Sequence, residues 1–229
     1  MRRDPRTFNC RERSARLPKT KSASEQPQPV RIGDSRERMI AVATRLFLSG
    51  GYHGIGIAEI CSSAEVNKGT FYHFFPSKTE LLLEIIDRRV AEVETLIQGI
   101  GATEQAASRK ILNLFTMFQG QSKPGREANQ IVPGHLLGNV ILELASSSPG
   151  VREAARSGLD RWMRAMEKIL TQFIREERLH SLDARDASEV VLGLLQGATV
   201  LAAVSNDPKK MGAFGHLAVM LLRAAANPE

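Results

Sequence analysis

The sequence predicts an all-α fold, and three observations lead there. Apolar residues recur at spacings of three and four from Asp34 almost to the C-terminus. The segments they mark are cut by Gly, Pro and short polar clusters. No stretch alternates with the period of two that a half-buried strand requires. With 229 residues, 42% of them hydrophobic and 24% charged, the chain can build one sizeable core and a small appended module.

The elements follow in order. Met39, Ile40, Ala43, Leu46 and Phe47 share one face of a first helix, which Gly50-Gly51 ends because glycine accepts the left-handed conformation favoured at a helix stop. A second, short helix fits 57–64, with Ile57, Ile60 and Ala64 turned inward. A third fits 68–75, with Asn67 as its N-cap. Ser77-Lys78-Thr79-Glu80 reads as a capping box that opens a long helix carrying Leu81, Leu82, Ile85, Ile86, Val90 and Val93. Amphipathic helices are expected at 103–120, 133–147, 149–178, 184–205 and 208–226, separated by Gly120 to Gly125, Pro149, His180 to Asp183 and Pro208.

The net charge of +6 suggests a nucleic-acid partner until it is located. Residues 1–33 hold nine Lys/Arg and three acids, so the whole surplus lies there and the other residues carry twenty-two of each sign. This segment is rich in Arg, Ser, Pro and Gln and poor in large apolar groups, and it is expected to be a disordered basic arm. It either adds phosphate or minor-groove contacts or is dispensable. Cys10 and Cys61 are expected to be free thiols in a reducing compartment. The five histidines are scattered and form no metal spacing. The longest nearly apolar stretch, Val190 to Val204, falls short of the ~18 residues of a membrane span. The N-terminus lacks the apolar core of a secretory signal, so the expected location is cytoplasmic.

Two short helices joined by a tight turn at Glu65-Val66, braced by a preceding helix, make a helix-turn-helix over roughly 36–75. The third helix supplies the chemistry. Lys68, Thr70, Tyr72 and His73 face outward with hydrogen-bonding groups, while Val66, Phe71 and Phe74 anchor it inward. Gly69 leaves room for close backbone approach, and Lys78 lies in the first turn of the next helix, where free amides attract phosphate. Such a helix fits the major groove, whose edges distinguish all four base pairs.

The run Ala64-Glu65-Val66-Asn67-Lys68-Gly69-Thr70-Phe71-Tyr72-His73-Phe74-Phe75, with Ser77-Lys78 after it and Ala43, Leu46-Phe47 and Gly51-Tyr52 before it, resembles the DNA-binding domain of the TetR family. The resemblance implies that Lys68, Gly69, Thr70, Tyr72, His73 and Lys78 meet DNA, with Tyr72 and Lys78 on phosphates. It also implies a homodimer on a near-palindromic operator, in most cases a repressor released by a small ligand. Two departures stand out. Glu65 occupies a turn position where the family usually has glycine, and Gly56 replaces a Thr or Ser that caps the second helix.

The stretch Gly134-His135-Leu136-Leu137-Gly138-Asn139 with Glu143, followed by Pro149 and Trp162, is similar to the effector domain of the LmrA/YxaF-like TetR group. His135 stands where many of that group carry cysteine, so thiol-based sensing at this position is not expected. The resemblance implies a pocket, with Phe115, Phe118, His135, Asn139, Trp162 and Met166 as its expected lining. Each of these also reads as ordinary core. Gly193, Gly197, Ala198, Ala202 and Gly215 form small-residue surfaces on the last two helices. They are expected at a dimer interface, or alternatively in tight packing within one subunit.

The expected organisation is a basic arm at 1–33, a DNA-binding domain at 34–79 and an effector-binding and dimerisation domain at 80–229. The expected partners are a double-stranded DNA operator, a second copy of the chain and a small-molecule effector, without metal, cofactor or membrane. An enzymatic reading has only the histidines and the expected pocket behind it, with no nucleophile–base pair, metal spacing or phosphate loop. A helical scaffold without DNA binding remains a further alternative, to which Glu65 and Gly56 lend support.

Overall fold

The computed structural model describes residues 32–120, 138, 143–205, 207 and 209–225, and among these described residues eight helices are delimited. They are α1 (Ile32–Gly54), α2 (Ile57–Ser63), α3 (Lys68–Phe74), α4 (Lys78–Gly101), α5 (Ala107–Gly120), α6 (Pro149–Glu177), α7 (Ala184–Val204) and α8 (Lys210–Ala225). No strand occurs among the described residues. The basic arm, most of the helix expected at 133–147, His135 and Asn139 lie outside them.

Local chemistry sets the helix ends. Asn67 accepts the Thr70 amide, Ser77 accepts the Glu80 amide, and Asp183 accepts from Arg185 and Asp186, each closing free N–H groups of a first turn. Helical geometry in α1 breaks at Gly51, where φ is 70° and ψ is 171°. That is a region essentially reserved for glycine, so the Gly50-Gly51 stop acts at its second residue.

One apolar cluster runs from Met39 in α1 to Leu222 in α8, with α4 contributing to it along its length. α4 and α6 pack through a close approach. A Cβ on Gly158 would lie 2.5 Å from Cγ2 of Val90, and the Trp162 indole, one turn further on, donates to the Val90 carbonyl at 3.0 Å. Arg161, between them, pairs with Glu94 and Asp87 of α4. At the far end of α4 the buried Lys110 donates to the Gly101 carbonyl and to Gln172, while Glu176 accepts the Ala107 amide that opens α5. α7 packs on α6 and α8, and α8 packs on α5.

Helix α7 begins at Ala184, six residues before the apolar run singled out in the sequence. It is thereby long and apolar enough to cross a membrane by length and composition. Within the fold 44% of that window is buried.

The small residues of the last two helices divide between two faces. Ala198, Ala202 and Gly215 are buried inside the subunit, and a Cβ on Gly215 would sit 3.2 Å from Cβ of Phe115. For these three the structure corrects the expectation of an interface position, because their own chain already covers them. Gly193 and Gly197 face outward with open space above them.

Candidate nucleic-acid interface

The third helix stands on an apolar footing and turns a polar face outward. Phe71 is fully buried, Phe74 and Val66 pack against the core, and the Phe75 ring lies 5.9 Å from that of Phe71 and 6.5 Å from that of Phe74. Lys68, Gly69, Tyr72 and His73 are exposed, and Tyr72 retains 54% of its accessible surface. Thr70 is half-buried, and its hydroxyl donates to Oδ1 of the exposed N-cap Asn67 at 3.1 Å.

The turn before this helix has the bond pattern of a Schellman motif. The Val66 amide reaches the Cys61 carbonyl at 3.0 Å and the Glu65 amide reaches Ser62 at 3.2 Å. The motif requires a left-handed residue at its penultimate position, and Glu65 adopts φ 55° there. An L-residue in that conformation costs about 1–2 kcal/mol. Glu65→Gly is therefore expected to stabilise the fold by about 1 kcal/mol after the added flexibility of the unfolded glycine is counted. For a chain of this size that raises the thermal midpoint by about 2–4 °C at fixed protein concentration. An unchanged or lowered midpoint would show that the turn holds no such strain.

At the start of α2, Gly56 sits in extended geometry with no side-chain cap, and a Cβ added to it would meet nothing within 4 Å. The site has room for the hydroxyl it lacks. Cys61, on the inner side of α2, is a buried free thiol. Burial raises its pKa, opposed by the Lys68 charge, which makes it a poor nucleophile at neutral pH.

Lys78 is more engaged than its sequence position suggests. Its ammonium donates to the Tyr52 carbonyl at 2.9 Å and the Ile55 carbonyl at 2.8 Å, and lies 4.1 Å from the centre of the Tyr52 ring. Two of its three protons thus tie α4 to the last turn of α1 and to the linker that follows it. Burial holds this ammonium below the usual lysine value, and the Glu143 charge works the other way.

On the other side of the same segment lies Glu143, whose place in the sequence suggests no more than a bridge to a basic neighbour. Its carboxylate accepts the Tyr52 amide at 2.9 Å and the His53 amide at 2.7 Å. Burial raises the Glu143 carboxyl, but the two amides, together with the charges of His53 and Lys78, outweigh it and leave it below its ordinary value. A group so depressed contributes its stabilisation above the ordinary carboxylate range and loses it only as pH falls through the lowered value. Tyr52 closes the arrangement, its hydroxyl 2.9 Å from Thr79 Oγ1. Ninety-one residues separate Tyr52 from Glu143, so no local pattern could have announced the contact.

Of the expected effector-pocket residues, Phe115, Phe118, Trp162 and Met166 are buried in the core, where α5 meets α8 and α6 meets α4.

Two family models match the chain. The one for bacterial regulatory proteins of the tetR family covers residues 39–85, and the one for the tetracyclin repressor-like C-terminal domain covers residues 109–217. The HTH-type transcriptional regulator YxaF of Bacillus subtilis is 27% identical over 176 residues, which is 76% of this chain and 88% of that protein. LmrA of the same organism is 26% identical over 176 residues, covering 76% and 89%. The crystal structure of FadR from Bacillus subtilis in complex with stearoyl-CoA superposes with a TM-score of 0.65 at 18% identity, covering 82% of this chain and 97% of that one. The helix-turn-helix and the helical body behind it are each matched, the chain is similar to YxaF and LmrA, and it belongs to the TetR family of bacterial transcriptional regulators.

Proposed function

We propose that this regulator is a homodimeric repressor that binds a near-palindromic operator through two copies of α3 and is released by a small-molecule effector. The observation that carries the reading is the outward face of α3. Lys68, Tyr72 and His73 are exposed on a helix of major-groove size whose other side is anchored by Phe71. Two such helices about 34–36 Å apart enter successive major grooves. Residues 34–79 then form the DNA-binding part and 80–229 the effector and dimerisation part, with α4 joining them. The regulator acts in the cytoplasm, where the bacterial DNA is, and as a binding protein rather than a catalyst.

The dimer contact is assigned to the outer faces of α7 and α8. Large apolar side chains gather there in the open, among them Leu201, Val204 at 83% exposure, Leu217, Met220 at 62% and Leu221. An exposed apolar face of this kind marks an interaction surface. Gly193 and Gly197 on the same side of α7 let a partner helix approach closely. The effector is assigned to the part of the body that carries Phe115, Phe118, Trp162 and Met166, with His135 and Asn139 as further expected contributors. Stearoyl-CoA in FadR is a precedent for a ligand in this fold. Operator and effector then weaken each other's binding by about 1–3 kcal/mol.

The test combines the free protein and DNA. Sedimentation should give a dimer that Leu201→Glu with Met220→Glu turns into a monomer. The wild-type chain should shift the intergenic DNA upstream of its own gene saturably over competitor DNA, and the double variant should not. A monomeric wild type would overturn the dimer, and the absence of a sequence-dependent shift would overturn the operator-binding reading.

A further inference from the structure

The segment Gly51 to Ile55, which is the last turn of α1 beyond its break at Gly51 and the first residue of the linker, leads into α2, so its conformation fixes where α2 and α3 stand on the first helix. It has few apolar anchors of its own, since Tyr52 is half-buried, His53 and Gly54 are exposed and only Ile55 is buried. Polar groups from two distant parts of the chain hold it instead. Lys78 takes the Tyr52 and Ile55 carbonyls from one side, and Glu143 takes the Tyr52 and His53 amides from the other. Gly51 makes this possible in two ways. Its backbone geometry turns the two amides to face one carboxylate, and its missing Cβ, which would lie 3.2 Å from Glu143 Oε2, leaves the carboxylate room to approach.

We propose that Glu143 is a positioning residue for DNA recognition: reaching from the C-terminal part of the chain, it holds the α1–α2 segment and thereby sets the stance of α2 and α3. The inference rests on α3 being the DNA-reading helix. Charge-assisted bonds of 2.7 and 2.9 Å to two successive amides are among the stronger contacts a side chain can make, and they are directional. Five residues before Glu143, Gly138 lies against α7, where a Cβ would be 3.8 Å from Gln196 Oε1.

The experiment compares the full-length wild type with Glu143→Ala, Glu143→Gln and Ile169→Val, the last a core change in α6 that touches neither the segment nor DNA. Hydrogen exchange is followed amide by amide, and affinity is measured for the intergenic DNA upstream of the gene. In Glu143→Ala the Tyr52 and His53 amides should exchange roughly tenfold faster or more, as expected for the loss of bonds to a charged acceptor, and the acceleration should extend into α2 and α3. DNA affinity should fall about tenfold or more on the same basis. Glu143→Gln, which keeps one acceptor oxygen, should fall between Ala and wild type in both readouts. Ile169→Val should lower the thermal midpoint while leaving DNA affinity and the Tyr52 and His53 exchange unchanged. Unchanged exchange at Tyr52 and His53 overturns the hold, and faster exchange with unaltered DNA affinity overturns the positioning role. If the wild type itself binds no DNA, the operator reading fails, and the hold is still decided by whether exchange spreads into α2 and α3.

Discussion

Replacing Trp162 by alanine is expected to cost about 3–5 kcal/mol of folding stability, the range for removing a fully buried aromatic side chain. Trp162 is 1% exposed and is the only tryptophan in the chain. It lies one turn from Gly158 on the seam where α6 crosses α4, and both residues meet Val90. The alanine variant loses the packing of the indole and the hydrogen bond to the Val90 carbonyl together. Trp162→Phe separates the two, since it keeps most of the ring and removes only the N–H. The net worth of such a bond is about 1 kcal/mol, so the phenylalanine variant should lie much closer to wild type. Urea unfolding at fixed protein concentration measures both. A loss below about 1 kcal/mol in the alanine variant, the level of an ordinary surface change, would mean that the seam is not packed as described.

What could be read from the sequence depended on range. The Asn67 and Ser77 caps each act on an amide three residues away, and both were legible as local patterns. The strain at Glu65 was legible for a related reason, because a turn of fixed form demands a left-handed residue whatever surrounds it. The small residues of the last helices were harder. Spacing marks a stripe on a helix but not which neighbour covers it, so Ala198, Ala202 and Gly215 are indistinguishable in sequence from Gly193 and Gly197, although their own chain buries them. Lys78 was legible as a cation at the first turn of α4, but not as a ligand of the Tyr52 and Ile55 carbonyls, which sit more than twenty residues earlier. Glu143 was the least legible, because its partners are backbone amides and leave no side-chain signature in the sequence.

The engagement of Lys78 also decides which variant probes the DNA interface. Lys78→Ala removes a charge, but it also frees two carbonyls and the face of Tyr52, so lost DNA binding could reflect a loosened fold. Tyr72 has no such second role. Its ring is half exposed and touches Phe71 edge-on at 5.4 Å, and its hydroxyl makes no hydrogen bond among the described residues. Tyr72→Ala should therefore leave the thermal midpoint nearly unchanged. A phenol donating to a phosphate is worth about 1.5–3 kcal/mol, so each half-site should lose roughly ten- to a hundredfold in affinity, with both half-sites affected in a dimer. The salt dependence separates the role of Tyr72 from that of Lys68. Tyrosine displaces no counterion, so the slope of log affinity against log salt should stay as in wild type for Tyr72→Ala. Lys68→Ala should reduce it by about one for each phosphate the lysine neutralises. Titration of the upstream DNA at several salt concentrations measures both quantities. Full affinity in Tyr72→Ala would remove Tyr72 from the interface, and an altered slope in that variant would mean that its loss acts through neighbouring charges rather than its own hydroxyl.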